Sequence, residues 1–289
     1  MYLKQASEKV FPAADYLLGT MYREGNGVEK NGDTAFEYIK KAAYKGNADA
    51  KWTLGNMYLN GEGVAQDYYF ATQWLAEVAL STHKKEINDL LKADNEGTFS
   101  QYLIGLRKYF IEKDYASAIT YFMKVDKAKC PEGKTMLGMC YANKDYAKQN
   151  LKKAIKNLNK AIENNSRVAN YYLATMYETA TGVEKDSKKA VELLKKASDL
   201  GIAYAECKLG DRYMNGNGVS KDMTKAALFY LDAEAQNHLT PQSAKHLAEC
   251  YKNKLSVLSD LQNADKRIEQ LSKQKANNSL VNLLKLLEK

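Results

Sequence analysis

Proline and long apolar runs are the features that this sequence has least of. Three of the 289 residues are proline, whereas 21 are tyrosine. No run of about 18 apolar residues is present, so the sequence predicts no membrane-spanning helix. The composition, with 45% hydrophobic residues, is otherwise ordinary. Few prolines and many tyrosines suit repeated helices better than a chain of proline-punctuated loops.

Cysteine and histidine are also scarce, and their spacing does not indicate chemistry. The four cysteines form no C-x-x-C pair, which argues against a zinc site or a disulfide framework, and we expect buried free thiols. The three histidines do not form H-E-x-x-H, and no glycine loop precedes a phosphate-binding lysine. No serine lies in a nucleophile-elbow context. We therefore expect no catalytic residue, no metal and no cofactor. The four cysteines are Cys130, Cys140, Cys207 and Cys250, and the three histidines are His83, His238 and His246.

The net charge of +8 permits an acidic partner but does not identify one. Residues 251–289 hold eight Lys or Arg and four Asp or Glu. Their net charge is therefore +4, which is half of the net charge of the chain. Lysine pairs such as Lys152-Lys153 and Lys188-Lys189 recur at one position of a repeat, which favours a solvated helix face. A nucleic-acid track would interleave aromatic residues with the charges, so we expect no nucleic-acid partner.

The stretch 47–78 predicts a helix, a tight turn and a second helix. Ala50, Leu54, Met57 and Tyr58 form one apolar stripe, and Lys51, Thr53 and Asn56 lie off it. Gly61 and Gly63 supply the backbone freedom that ends the first helix, which we call helix A. Asp67 is placed to cap the second helix, helix B. Gly55, in the middle of helix A, predicts the close approach of a neighbouring helix.

The same pattern recurs along the chain. Alignment on the small residue of helix A gives intervals of 36, 50, 33, 36, 36 and 38 residues. A tyrosine follows three positions later in six of the seven copies, with Lys108 the exception, and a capping Asp or Asn precedes an alanine by four residues in six. The aligned residues are Gly19, Gly55, Gly105, Gly138, Ala174, Gly210 and Ala248. The caps are Asn31, Asp67, Asp114, Asn150, Asp186 and Asp222.

These residues resemble the Sel1-like repeat, a relative of the tetratricopeptide repeat. The pattern A-x-A-x-x-x-L-G-x-x-Y-x-x-G-x-G-V-x-x-D-x-x-x-A is matched best at 48–71 and 203–226. The resemblance covers about residues 1–253 and implies an all-α fold, an α-α superhelix of stacked hairpins. The fifth copy departs from it, with Ala180 in place of the first turn glycine and Ala174 in helix A.

The repeat pattern also predicts the organisation of the chain. Residues 1–79 hold N-terminal Sel1-like repeats that begin in a half-repeat, and 80–97 form an inserted helix or linker. Residues 98–165 hold two degenerate, tetratricopeptide-like hairpins without the G-x-G-V turn, and 166–253 hold further Sel1-like repeats. We expect 254–289 to form a helical cap, because a terminal repeat needs a polar cover. Self-association through the heptad-like seam of this segment stays open.

The resemblance places helix A on the inner groove, with three columns of variable residues facing it. These positions lie three before, one after and four after the small residue. Aromatic side chains beside polar ones are typical of protein-recognition surfaces. Packing of the aromatics against the adjacent repeat is the alternative. The predicted partner-binding residues are Tyr16, Arg23, Trp52, Asn56, Tyr102, Tyr109, Tyr171, Glu178, Asp211 and Met214.

We therefore expect a non-catalytic scaffold or adaptor that binds a protein or peptide in the groove. Relatives in bacteria imply two alternatives, an immunity or inhibitor protein that blocks a secreted effector enzyme and, less favoured, a cell-wall-directed hydrolase. The sequence holds no nucleophile constellation for the latter. A cytoplasmic location is expected if Met1 is the true start, and a periplasmic or secreted one stays open if an upstream signal was removed.

Overall fold

A computed structural model of the protein describes residues 11–78, 97–236 and 238–253, together with Lys85 and Asp89. Over these residues the chain forms 13 α-helices and one π-helical turn, with no strand. The first six helices are α1 Pro12–Glu24, α2 Gly32–Tyr44, α3 Ala48–Asn60, α4 Tyr68–Val78, α5 Thr98–Arg107 and α6 Tyr115–Lys127. The next four are α7 Pro131–Ala142, α8 Leu151–Glu163, α9 Ala169–Thr179 and α10 Ser187–Asp199. The last three are α11 Ala203–Asn215, α12 Met223–Ala235 and α13 Pro241–Lys252.

The fold divides into two compact units. The N-terminal unit ends at Glu132, and the C-terminal unit begins at Gly133. In both units the predicted helices A alternate with helices B, and each aligned small residue lies within its helix A. The all-helical architecture of repeated hairpins is therefore confirmed. The inserted segment at 80–97 lies outside the described residues except Lys85, Asp89 and Gly97, as do the half-repeat at the chain start and the cap at 254–289.

Two local features, a glycine in the left-handed conformation and a capping aspartate, close the turn between helices A and B. Gly61 adopts a left-handed conformation with φ 70°, and its N–H donates to the carbonyl of Met57. The Asp67 N–H donates to the carbonyl of Tyr58 at 2.9 Å, and its side chain accepts from the Phe70 N–H at 2.9 Å. The other five predicted caps make the same side-chain bond, at 2.9 to 3.0 Å. The six N-caps predicted from the sequence are therefore confirmed.

The small residue of helix A lies where helix B crosses it. A Cβ added to Gly55 would stand 2.9 Å from Leu75 Cδ2 on α4. At Gly210 an added Cβ would overlap the ring of Tyr230 on α12. The predicted close approach of a neighbouring helix is confirmed. It explains why a residue with poor helix propensity occupies the middle of these helices.

The second turn glycine serves the contact between successive repeats. A Cβ on Gly63 would overlap the carbonyl oxygen of Gly32, which begins helix B of the preceding repeat. Gly218 has the same relationship to Ser187 at the start of α10. The turn therefore fixes how each hairpin stacks on the one before it within a unit.

The third copy closes its turn differently. Helix α5 runs into a π-helical turn at Lys108–Glu112, and Lys113 takes the left-handed conformation with φ 57°. The Asp114 N–H still donates to the carbonyl of Lys108 at 2.9 Å. The backbone closure is kept although the side chain at 108 is not tyrosine. It depends on backbone groups, which lysine supplies equally well.

Three of the four cysteines are buried free thiols, as expected, and Cys130 is half-buried. Burial raises the pKa of the Cys140 thiol to about 12 and that of the Cys250 thiol to about 11. The Cys130 thiol donates to Glu132 at 2.8 Å. Among the described helices, none is both long and apolar enough to cross a membrane.

Candidate partner-binding face

The ten predicted side chains lie on helices A of the two units. We call the members of this set within each unit the helix-A face of that unit. Six belong to the N-terminal unit, on α1, α3, α5 and the π-helical turn, and four to the C-terminal unit, on α9 and α11. Two of the ten are core residues, and the other eight are half-buried.

The two core residues are Tyr102 and Met214, whose exposed fractions are 3% and 5%. The ring of Tyr102 lies 6.0 Å from that of Tyr68 and 6.2 Å from that of Phe122. Met214 belongs to the apolar cluster around Tyr230. The prediction that Tyr102 and Met214 lie on the partner-binding surface is therefore wrong. Large side chains of neighbouring helices cover both positions.

The aromatic pair Tyr16 and Trp52 lies on successive helices A of the N-terminal unit, and both side chains are half-buried. The Tyr16 hydroxyl lies 3.4 Å from Thr53 Oγ1. Asn56 Nδ2 donates to the Trp52 carbonyl at 2.9 Å, within α3. Thr53 was expected off the apolar stripe, yet its exposed fraction is 5%. Helix A is covered on two sides, by its own helix B and by the preceding repeat, and therefore buries more than one stripe.

Arg23 makes a two-bond ion pair with Glu62, which lies in the turn of the next repeat. Arg23 Nε and Nη2 donate to Oε1 and Oε2 at 2.7 and 2.8 Å. These hydrogen bonds lower the pKa of the Glu62 carboxyl and raise that of the Arg23 guanidinium. Each side chain is 34% exposed, so the pair lies at the surface with its geometry fixed.

In the C-terminal unit, Glu178 likewise forms ion pairs with residues of the next repeat. Its carboxylate accepts from Lys208 Nζ at 3.0 Å and from Arg212 Nε at 3.1 Å, both on α11. The Glu178 side chain is 7% exposed. A carboxylate this buried is stabilised only when it is paired, so the two cations tie α9 to α11.

Asp211 lies in a hydrogen-bonded group of three side chains from three helices. Tyr230 Oη on α12 donates to Asp211 Oδ1 at 2.8 Å. His246 Nδ1 on α13 lies 2.9 Å from Asp211 Oδ1 and 3.0 Å from Tyr230 Oη. Burial, with the nearby Asp211 carboxylate, raises the pKa of the Tyr230 hydroxyl. The group joins the last described helix to the preceding hairpin.

The two remaining aromatics have aromatic neighbours. The ring of Tyr171 lies 5.4 Å from that of Tyr172 and 6.3 Å from that of Tyr204 in the next repeat. Burial raises the pKa of the Tyr171 hydroxyl to about 12. Tyr109 contacts Phe110 and Tyr115 with edge-on geometry, at 4.9 and 5.4 Å between ring centroids. Both side chains keep part of their surface open to solvent.

The chemical groups that this face presents are aromatic rings and paired charges. Within residues 11–78, 97–236 and 238–253, no group of three or more His, Cys, Asp or Glu is arranged to hold a metal ion. Half-buried aromatic rings supply contact area at low entropic cost, and paired charges beside them supply orientation.

The sequence reasoning missed the partners of the polar residues. These partners are Glu62, Lys208, Arg212, Tyr230 and His246. A usable signal was present, because Arg23 and Glu62 lie 39 residues apart, Glu178 and Arg212 lie 34 apart, and Asp211 and His246 lie 35 apart. A search for oppositely charged residues about one repeat apart would have found the first two pairs, and a search that included histidine would have found the third.

These hairpins, their turn glycines and the contacts between successive repeats define a helical repeat protein. The family model of the Sel1 repeat matches residues 12–47, 48–80, 131–166, 167–202 and 203–238, which is more than half of the chain. The chain therefore belongs to the Sel1 repeat family. The match at 131–166 includes one of the two hairpins whose sequence lacks the glycine turn. No curated protein matches the sequence.

Three solved structures of other proteins match the chain with TM-scores below 0.5. A Sel1 repeat protein from Oxalobacter formigenes is 21% identical, with 92% of this chain and 87% of that chain covered and a TM-score of 0.47. A protective antigen with an SLR fold from uropathogenic Escherichia coli strains is 21% identical, with 99% and 77% covered and a TM-score of 0.39. Helicobacter pylori cysteine-rich protein B is 27% identical, with 45% and 92% covered and a TM-score of 0.35.

Proposed function

We propose that this protein is a non-catalytic scaffold or adaptor that binds a protein or peptide segment on its helix-A face. Sel1 repeat proteins are generally protein-interaction scaffolds, and this coarser role follows from the family. The finer proposal concerns which surface of this chain holds the partner.

The observation that carries the proposal is the pair Tyr16 and Trp52. Both rings are half-buried, so each is held by packing and still presents an edge or face to solvent. They belong to adjacent repeats, which the contact between Tyr16 and Thr53 joins. Amphipathic rings held in place are the residues that dominate binding energy at protein interfaces.

Tyr171 extends the proposal to the C-terminal unit. It occupies the same repeat position as Tyr16 and Trp52, is also half-buried, and contacts Tyr204 of the next repeat. The polar members Arg23, Glu178 and Asp211 already have partners within the chain. We therefore assign them to holding the repeats in register beside the aromatic anchors.

A quantitative pulldown tests the proposal. Partners recovered from a lysate by the wild-type protein are compared, by mass spectrometry, with those recovered by Trp52→Ala and Tyr16→Ala. Leu228→Ala is the control, because Leu228 is an apolar residue on helix B with 45% of its surface exposed. We expect the two helix-A variants to lose a partner that the control retains, with all variants folded by circular dichroism. Equal recovery by all of them would contradict the proposal.

A further inference from the structure

Helix α8 carries a basic face that the helix-A face does not use. The segment 143–163 contains six lysines and two acidic residues, Asp145 and Glu163. Lys152, Lys156 and Lys160 follow one another at four-residue spacing and are exposed. They lie opposite the stripe of Ala154, Leu158 and Ala161, which is buried.

Two other helices B each contain a lysine that is paired with a glutamate of the same helix. Lys40 pairs with Glu37 on α2, and Lys189 pairs with Glu192 on α10. Lys156 stands at the position of the repeat where those helices carry Glu37 and Glu192. Among the described residues no carboxylate lies within ion-pair distance of Lys152, Lys156 or Lys160. The row on α8 therefore lacks the carboxylate that pairs with one lysine on α2 and with one lysine on α10.

The same face has a shallow, open groove with an apolar element, and the described residues that line it all belong to α8. Its cavity volume is about 490 Å³. Ile155, which is half-buried, lies within it. The residues that line it are Lys152, Ile155, Lys156, Asn159, Lys160 and Glu163. The groove thus combines three ammonium groups with a branched apolar side chain and, at its C-terminal end, the single carboxylate of Glu163.

We propose that this groove binds an acidic amphipathic helix of a partner protein. Residues four apart on a helix lie about 6 Å apart along its axis. A partner helix with glutamates at the same spacing therefore presents carboxylates that match the three lysines in sign and in spacing. Leucine or isoleucine beside those glutamates would contact Ile155. None of the described residues that line the groove is aromatic, and a single-stranded nucleic acid would need an aromatic side chain to stack its bases.

Fluorescence anisotropy with defined peptides tests this proposal. The probe is a labelled alanine-rich peptide of about 15 residues with three glutamates at four-residue spacing and one leucine beside them. The comparison peptide carries glutamine in place of each glutamate. Binding is measured to the full-length protein at about 150 mM NaCl, where weak long-range attraction is screened.

Two triple variants give the decisive comparison. K152Q/K156Q/K160Q removes the three lysines of the proposed site, and K188Q/K189Q/K195Q removes three lysines from α10, where Lys189 is paired with Glu192. We expect the first to weaken binding of the acidic peptide about tenfold and the second to change it less than about twofold. Circular dichroism confirms that both variants fold.

Four outcomes would overturn the proposal. The acidic peptide could fail to bind at about millimolar concentration. The glutamine peptide could bind equally well, which would remove the role of charge. The two triple variants could weaken binding equally, which would indicate attraction to net charge alone. A short duplex DNA that bound more tightly than the peptide, and lost that binding in the first variant, would make this a nucleic-acid face.

Discussion

Arg23 and Glu62 are joined by two parallel hydrogen bonds, at 2.7 and 2.8 Å, although they belong to different repeats. The arginine lies on helix A of the first repeat, and the glutamate occupies the variable position between the two turn glycines of the second. The sequence pattern assigns position 62 only to the turn. In the structure its side chain joins two successive repeats.

The pair should contribute modestly to stability. A double-mutant cycle with Arg23→Ala and Glu62→Gln should give a coupling free energy of about 0.5 to 1 kcal/mol, because both groups are partly solvated. The coupling should weaken as the pH falls below the usual carboxyl pKa, since the pKa of Glu62 is lowered in the folded state. The exposed pair Lys40 and Glu37 is the control and should show almost no coupling. Equal coupling in both pairs would contradict this interpretation.

Gly210→Ala should destabilise the C-terminal unit. The added methyl group would overlap the Tyr230 ring, which the hydrogen bonds to Asp211 and His246 hold in place. We expect the free energy of unfolding to fall by about 1 to 3 kcal/mol, although alanine is the better helix former. Ala174→Gly, at the same repeat position, should lower the free energy of unfolding by about 1 kcal/mol, because glycine has a poorer helix propensity than alanine. Urea denaturation measures both, and a more stable Gly210→Ala variant would be incompatible with the close approach.

Ala180→Gly should stabilise the protein. Ala180 adopts the left-handed conformation, with φ 54°, at the position where three other copies have Gly25, Gly61 and Gly216. Glycine avoids the strain between Cβ and the backbone, so we expect a gain of about 0.5 to 1 kcal/mol. Gly216→Ala, at the equivalent position of the next repeat with φ 74°, should lose a similar amount. Thermal unfolding tests the pair, and changes of the same sign in both variants would refute the account of this turn.

Glu206 should make stability fall as the pH rises. Burial on α11, and to a lesser extent the nearby Asp232 carboxylate, raise the pKa of Glu206 to about 7. Between its usual value and about 7, the folded state binds more protons than the unfolded state, so the free energy of unfolding decreases with pH in that range.

Glu206→Gln removes this charge and keeps an acceptor for Gln236, which donates to Glu206 at 2.6 Å. We expect the variant to be more stable than the wild type by about 1 to 2 kcal/mol at about pH 8, and nearly equal to it at about pH 4. Glu192→Gln, on the exposed face of α10, is the control and should show no such pH dependence. A stabilisation that did not vary with pH would rule out titration of Glu206 as the cause.

The repeat architecture could be predicted because its signals are local. The spacing of Gly55, Gly61 and Asp67 specifies a helix, a turn and a capped helix within one short stretch, and the six caps follow from the same rule. The burial of individual side chains could not be predicted in this way. Tyr102 and Tyr171 occupy equivalent positions, yet Tyr68 and Phe122 cover the first and leave it 3% exposed.

The same limit applies to the polar residues of the helix-A face. Glu178 and Met214 occupy equivalent positions, but the first is paired with cations on α11 and the second lies in an apolar cluster. Which of these occurs depends on the side chains that the next repeat brings to that position. A pattern that treats each repeat separately does not contain this information, whereas a comparison of adjacent repeats does.

Site-specific photo-crosslinking tests the proposed function most directly. A photoreactive phenylalanine derivative is placed at Asn56 or Thr175 on the helix-A side of each unit, and at the exposed Thr224 on α12 as the control. The proposal predicts that a partner is crosslinked from Asn56, from Thr175 or from each of them, and not from Thr224. Crosslinks that formed from Thr224 while Asn56 and Thr175 gave none would contradict the assignment of the helix-A face as the binding surface.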